Sequence, residues 1–181
     1  MNLKSILELD QKLTQAIRRP QNATPAWRLA VFFAHSGDSW LWVMGLFIVW
    51  LIGSPLWHTR SAILACSVAG LAILVLIIKF TIKRQRPPGE WGAIYRNTDP
   101  HSFPSGHAAR AAMLAVMTVG LGPAWFGWLI LVWAPLVSIA RVMTGVHYLS
   151  DILAGMVFGA LVGWALLEVF PFILPFFPFI F

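Results

Sequence analysis

Four stretches of the chain are too long and too apolar to belong to a water-soluble domain: Ser61–Phe80, Pro104–Leu121, Pro123–Ile139 and Tyr148–Phe170. Each is close to the roughly 20 residues that a helix needs to cross the hydrocarbon core, where every backbone hydrogen bond must be closed internally. The runs therefore predict an all-α fold, a polytopic membrane helical bundle. Composition agrees, since 59% of the 181 residues are hydrophobic, only 11% are charged, and ten are Trp. That length suits a single membrane-embedded domain over residues 1–181. A formal charge of +6 would suggest nucleic acid in a soluble protein, but the cations gather at the ends of apolar runs. There they suit anionic headgroups, so the expected partners are the bilayer and a membrane lipid, with no nucleic acid.

The remaining segments fill in the bundle. Residues 1–26 read as an amphipathic N-terminal segment, with Leu3, Ile6, Leu7, Leu13 and Ile17 on one helical face, expected to lie in the membrane interface. Trp27–Ile52 is apolar apart from His35, Ser36, Gly37, Asp38 and Ser39, so a helix here either includes that polar group or starts within the interface. His35 and Asp38 are expected to cap a helix or form a turn. The count is then about five crossings; a separate crossing at Leu29–Ala34 would make six, though that stretch is short. Gly120, Gly122 and Pro123 predict a tight turn between antiparallel neighbours. Residues 171–181 form an apolar, Pro-rich tail, and Cys66 reads as a packing residue within a span.

The long loop carries the first chemistry. Lys79, Lys83, Arg84, Arg86 and Arg96 gather positive charge, and Pro104, Ser105, Gly106 and His107 open the next apolar run. With Pro104 starting a helix, Ser105, Gly106 and His107 occupy its first turn, whose unpaired N–H groups and dipole favour an anion. Gly106 permits close approach, Ser105 adds a hydroxyl donor, and His107 adds a group that titrates near neutral pH.

A second polar cluster, ARVMTGVHYLSD, spans residues 140–151. His147 and Asp151 share a face if one helix includes both, and the carboxylate can then take the imidazole N–H and leave the other nitrogen as a nucleophile. Arg141 offers a planar fork suited to phosphate. The two clusters follow the second and fourth crossings, so they lie on one membrane face and can meet. Cations around a phosphate, with His107 and His147 on its two sides, supply what phosphomonoester cleavage requires: one imidazole attacks and the other protonates the leaving oxygen.

Lys79 followed by six residues and Arg86-Pro87, then Pro104-Ser105-Gly106-His107, then Arg141, His147 and Asp151 at their spacing resembles the type 2 phosphatidic acid phosphatase superfamily. Ala140 is a departure, because Ser commonly precedes that Arg. The resemblance implies a metal-independent lipid phosphatase with no cofactor. It makes His147 the nucleophile that becomes phosphohistidine, Asp151 its orienting carboxylate, and His107 the general acid. Lys79, Arg86, Ser105, Gly106 and Arg141 would hold the phosphoryl oxygens. A lipid phosphotransferase, or a non-catalytic lipid-phosphate binder or transporter of the same fold, is the alternative.

Other polar residues carry weaker expectations. Arg110, three residues after His107, is expected to pair with a carboxylate or touch a second phosphate of the substrate. Lys83, Arg84 and Arg96 read as topology or headgroup charges. His58 and His101 read as solvated loop residues, while Glu90, Trp91, Tyr95 and Asp99 line the loop. Without a large extramembrane cap, a polyprenyl diphosphate or phosphatidylglycerophosphate suits the chain best, with phosphatidate or lipid A phosphate behind. The location expected is the cell membrane. Lys4, Lys12, Arg18, Arg19 and Arg28 put the site on the cytoplasmic face by the charge rule, whereas the resemblance leans to the extracytoplasmic face.

Overall fold

A computed structural model describes residues 2–19, 24–89 and 99–181. Glu90, Trp91, Tyr95 and Arg96 lie outside the described residues. The described chain is all-helical: α1 Leu3–Ile17, α2 Pro25–Ser36, α3 Ser39–Ile52, α4 Pro55–Ile82, α5 Gly106–Leu121, α6 Ala124–Met143 and α7 Leu149–Ile173, followed by a 3-10 turn at Leu174–Phe176. The chain is a multi-pass membrane protein. Apolar side chains such as Phe47, Ile73, Trp128, Val132, Val157 and Trp164 stand on the outer surface, where lipid takes the place of water.

Three helices, α4, α6 and α7, are each long and apolar enough to cross a bilayer. The sequence count of five or six is thus not reproduced by length and composition, for two physical reasons. The segment expected as one N-terminal crossing is a pair, α2 and α3, bent by 58° at Gly37–Asp38. A Cβ on Gly37 would sit 2.7 Å from Val137 Cγ1, so the backbone at the break is pressed against α6. The indoles of Trp42 and Trp133 donate to the Ser36 carbonyl at 3.1 Å and its hydroxyl at 2.9 Å, satisfying polar groups that the break exposes. The other shortfall is α5, whose 16 residues rise only about 24 Å.

Helix α5 is the core of the bundle. Ala108, Ala109, Ala111, Met113, Leu114 and Met117 are fully buried, between Leu64, Val68, Leu71 and Val75 of α4 and Ile130, Ala134 and Val137 of α6. Helix α7 approaches it through Gly155, Gly159 and Gly163, one small residue every four. A Cβ at these positions would lie 2.6 Å from Ser105 O, 1.9 Å from Ala109 O and 2.9 Å from Met113 O. Close backbone approach of this kind is how helices associate where the surroundings are as apolar as the side chains. It fixes the start of α5 against the start of α7, the two ends that carry His107 and Asp151.

Several local expectations need correction. Helix α5 begins at Gly106 with Ser105 as its N-cap, so Pro104 precedes the helix instead of starting it. Helix α7 continues through Pro171 to Ile173, past the Phe170 expected as its end, and the tail folds back so that Ile180 O accepts from Trp50 Nε1 at 2.8 Å. Cys66 is exposed on the outer face of α4 and does not pack in the core. His58 is in the first turn of α4, bonded to Trp50 O at 2.8 Å, and is not a solvated loop residue. Gly122, with φ 65°, makes the expected turn between α5 and α6.

Candidate active site

The site forms where the ends of α4, α5, α6 and α7 meet. Lys83 ends α4 in a left-handed conformation (φ 53°), and the chain turns back across the bundle. The two limbs of the loop are clipped by Ser102 N donating to Arg84 O at 2.8 Å. That turn carries Arg86 inward to 4% exposure. Its Nε donates to Asp99 O at 2.7 Å, Nη2 to Asp99 Oδ2 at 2.8 Å, and Nη1 to Val146 O at 2.9 Å. Lys79, also buried, pairs with the same Asp99 carboxylate. One carboxylate therefore engages two of the cations expected to hold phosphate.

His147 is fixed between opposing groups. Arg86 Nη1 lies 3.2 Å from His147 Nε2. A guanidinium can only donate, so Nε2 is the acceptor and the ring proton resides on Nδ1. That Nδ1 faces Asp151 Oδ2 at 3.5 Å, an ion-pair distance longer than a good hydrogen bond. Burial first, and then the charges of Arg86, Arg141 and Lys79, hold His147 protonation well below the ordinary histidine range. The expected shared helical face does not exist, because α7 starts at Leu149 and His147 precedes it. Asp151 reaches back instead, accepting Tyr148 N at 2.9 Å in the first turn of α7.

His107 belongs to a second imidazole–carboxylate pair. Its Nε2 lies 2.7 Å from Asp38 Oδ1, and Asp38 Oδ2 lies 3.2 Å from His35 Nδ1. The backbones of His35 and Asp38 make the expected turn, Asp38 N donating to His35 O at 2.9 Å. The Asp38 side chain makes no cap bond; it serves His107 instead, leaving His107 Nδ1 as the ring nitrogen not engaged by a carboxylate. Burial and the charges of Arg141 and Arg110 oppose the imidazolium, and the Asp38 carboxylate is the group that favours it, as a proton donor requires. Ser105 Oγ accepts Ala108 N at 3.4 Å, and the hydroxyl proton remains available to an anion.

A cavity of about 250 Å³ joins these groups, lined by Lys79, Asp99, Gly106, His107, Arg110 and His147, with Ser39 and the α4 residues Val68, Leu71, Ala72, Val75 and Leu76. It is smaller than the roughly 300–1,000 Å³ of pockets that enclose whole ligands, which suits a headgroup whose chain continues outside. Arg86, Ser105, Arg141 and Asp151 are buried around it. Lys79, Arg86, Ser105, Gly106, His107, Arg110, Arg141, His147 and Asp151, the site residues expected from the sequence, thus come together at one end of the bundle.

Arg84, read from the sequence as a topology charge, is instead a hub. Nη1 donates to Asp151 Oδ1 at 2.6 Å and to Ser150 Oγ at 2.7 Å, Nη2 donates to Asp10 Oδ2 at 2.6 Å, and the guanidinium lies 4.1 Å from the Tyr148 ring centroid. Helix α1 is therefore more than an interfacial segment. Its apolar residues Ile6, Leu7, Leu9 and Leu13 face outward, while Asp10 and Thr14 are buried against the start of α7. Asp10 Oδ1 accepts Ser150 N at 3.0 Å and Thr14 Oγ1 accepts Leu149 N at 3.0 Å, capping two unpaired donors of α7. Lys83 remains exposed, as a headgroup charge would be, and His101 packs edge-on to Phe80 with ring centroids 5.3 Å apart.

The fold and the site define a polytopic helical membrane protein with two imidazole–carboxylate pairs beside a cationic pocket. The sequence profile of the PAP2 superfamily matches residues 60–174, and the chain belongs to that superfamily. Among curated relatives, the decaprenylphosphoryl-5-phosphoribose phosphatase of Mycobacterium tuberculosis is 38% identical over 96 residues, 50% of this chain and 50% of that protein. The undecaprenyl-diphosphatase of Sulfolobus acidocaldarius is 26% identical over 147 residues, 78% of this chain and 69% of that protein. Two crystal structures share the fold. Aquifex aeolicus LpxE has a TM-score of 0.69 at 21% identity, covering 88% of this chain and 95% of that one. The first transmembrane PAP2 type phosphatidylglycerolphosphate phosphatase from Bacillus subtilis has a TM-score of 0.68 at 23% identity, covering 90% and 84%.

Proposed function

We propose that this protein is a metal-independent phosphatase of a membrane lipid phosphate, acting through a phosphohistidine on His147. The observation that carries this reading is the pair of opposed imidazoles, His147 backed by Asp151 and His107 backed by Asp38, both lining one cation-rimmed cavity. The names of the relatives, phosphatases of polyprenyl-linked phosphates, support a lipid substrate.

The phosphoryl oxygens displace Asp99 from Lys79 and Arg86 and take further donors from Arg141, Ser105 and the Gly106 backbone. Arg86 Nη1 turns from His147 Nε2 to a phosphoryl oxygen, and the freed, neutral Nε2 attacks phosphorus as the phosphorus–oxygen bond to the lipid breaks. His107 Nδ1 gives its proton to the leaving oxygen. A water then gives a proton to His107 and attacks the phosphohistidine, releasing inorganic phosphate and the free imidazole. Asp151, held by Arg84 and the Tyr148 N–H, stands 3.5 Å from His147 Nδ1 and stabilises the positive charge that the ring gains on attack.

The preferred substrates are a polyprenyl diphosphate or phosphatidylglycerophosphate, because the cavity holds a small headgroup and α4 supplies an apolar wall beside it. The test is phosphate release from a panel of lipid phosphates in detergent with EDTA, native against His147→Ala. Release that survives EDTA and disappears in the variant supports the proposal. Equal release from both enzymes, or none from either, overturns it.

A further inference from the structure

We propose that Arg110 forms a second phosphate subsite, which makes the preferred substrate a lipid diphosphate; this rests on the phosphatase reading above. Three observations meet at this residue. Arg110 is 7% exposed and lines the cavity with His107 and Lys79. Its guanidinium makes one hydrogen bond, Nη1 to Ser39 Oγ at 2.7 Å, and its Nε is buried with no partner. Among the described residues no carboxylate lies within ion-pair distance of it; Asp38 acts on it from further away while bonded to His107 and His35, whereas Lys79 and Arg86 face Asp99, and Arg84 faces Asp10 and Asp151. Among the described residues the structural ion pair expected as one alternative from the sequence is therefore absent.

A buried cation whose nearby carboxylate, Asp38, is already shared by His107 and His35 is incompletely compensated, which is costly at membrane depth, and an anionic ligand in the cavity lowers that cost. Arg110 stands one helical turn beyond His107, an axial step of about 4.5 Å, on the side where Val68, Leu71 and Ala72 of α4 form the apolar wall. From His147 outward the cavity thus presents a phosphoryl cradle, a proton donor, a second cation and an apolar surface. A lipid diphosphate has the same order: terminal phosphate, bridging oxygen, inner phosphate, hydrocarbon chain.

In the reaction the bond from the terminal phosphorus to the bridging oxygen breaks, His107 protonates that oxygen, and the inner phosphate leaves on the lipid as a monophosphate held by Arg110 and Ser39. A lipid monophosphate places its first carbons against Arg110 instead. Loss of one charge-assisted hydrogen-bonding group from the diphosphate complex corresponds to roughly a ten- to hundredfold change in affinity.

The probes are farnesyl diphosphate and farnesyl monophosphate, which share one chain. Native protein, Arg110→Gln and Arg110→Lys are compared by kcat/KM and, separately, by calorimetric binding in detergent, with melting curves to confirm folding. The expected result is a native preference for the diphosphate that falls at least tenfold in Arg110→Gln and is partly kept in Arg110→Lys. Equal loss on both ligands in Arg110→Gln, or no native preference, overturns the subsite. Binding that follows the expected pattern while neither ligand is hydrolysed overturns the phosphatase reading and upholds the subsite.

Discussion

Gly159→Ala tests whether the glycine face of α7 sets the geometry of the site. The new Cβ would lie 1.9 Å from the Ala109 carbonyl oxygen, 2.6 Å from its carbon and 2.8 Å from its Cα, all backbone atoms that cannot swing aside. Ordinary contact begins near 3.4 Å, so α5 and α7 must separate by about 1.5 Å. Overpacking of this size costs roughly 1–3 kcal/mol. The displacement also moves His107 relative to Asp151, and a misplacement near 1 Å costs about a hundredfold in rate. Gly70→Ala is the control, because nothing lies within 4 Å of its added Cβ. The assays are the melting temperature in detergent and phosphate release. Gly159→Ala is expected to lose both stability and about two orders of magnitude of activity, while Gly70→Ala keeps both. Native activity and melting in Gly159→Ala would refute the packing account.

Three further outcomes follow from the geometry. Asp10→Asn removes the carboxylate shared by Arg84 and Ser150 and is expected to lower kcat roughly tenfold with little change in KM, about the worth of one hydrogen bond to a charged group; an unchanged kcat would make α1 a passive cover. Asp99→Asn removes the carboxylate that occupies Lys79 and Arg86, so inhibition by inorganic phosphate should tighten about fivefold, and weaker inhibition would show that Asp99 helps to bind phosphate. His147 stays neutral in the folded protein below the pH at which the unfolded chain protonates it, so the unfolded state binds more protons there and stability falls as pH drops below about 6.5, by at most about 1.4 kcal/mol per unit. The melting-temperature difference between native protein and His147→Asn should therefore shrink from pH 7.5 to 5.5; a constant difference would show that His147 is not held neutral.

What the sequence disclosed was set by local chemistry. Long apolar runs and three spaced motifs pointed to His107, His147, Asp151 and the cations Lys79, Arg86 and Arg141, which the fold gathers at one end of a helical bundle, because each signal lies within a few residues. The supporting carboxylates were not legible, since each acts across a long separation: Asp38 on His107 at 69 positions, and Asp10 on Arg84 at 74. A short polar group between apolar runs reads equally as a turn, and a lone Asp on an amphipathic helix reads as its solvated face. Arg84 was misread for the same reason, its partners lying 66, 67 and 74 residues away. The Gly155, Gly159 and Gly163 face did have a signal, one small residue every fourth position in an apolar helix. Helix α5 fell short of its expected span because burial among three neighbours, and not lipid contact, made it apolar.

The most direct measurement on the central claim is rapid-quench labelling with a lipid phosphate carrying radioactive phosphorus at its terminal position, followed by peptide mapping. A base-stable, acid-labile label confined to the peptide containing His147, formed with EDTA present and absent from His147→Ala, is the expected result. Phosphate release without label in the native enzyme, or label and release that persist in His147→Ala, would contradict it.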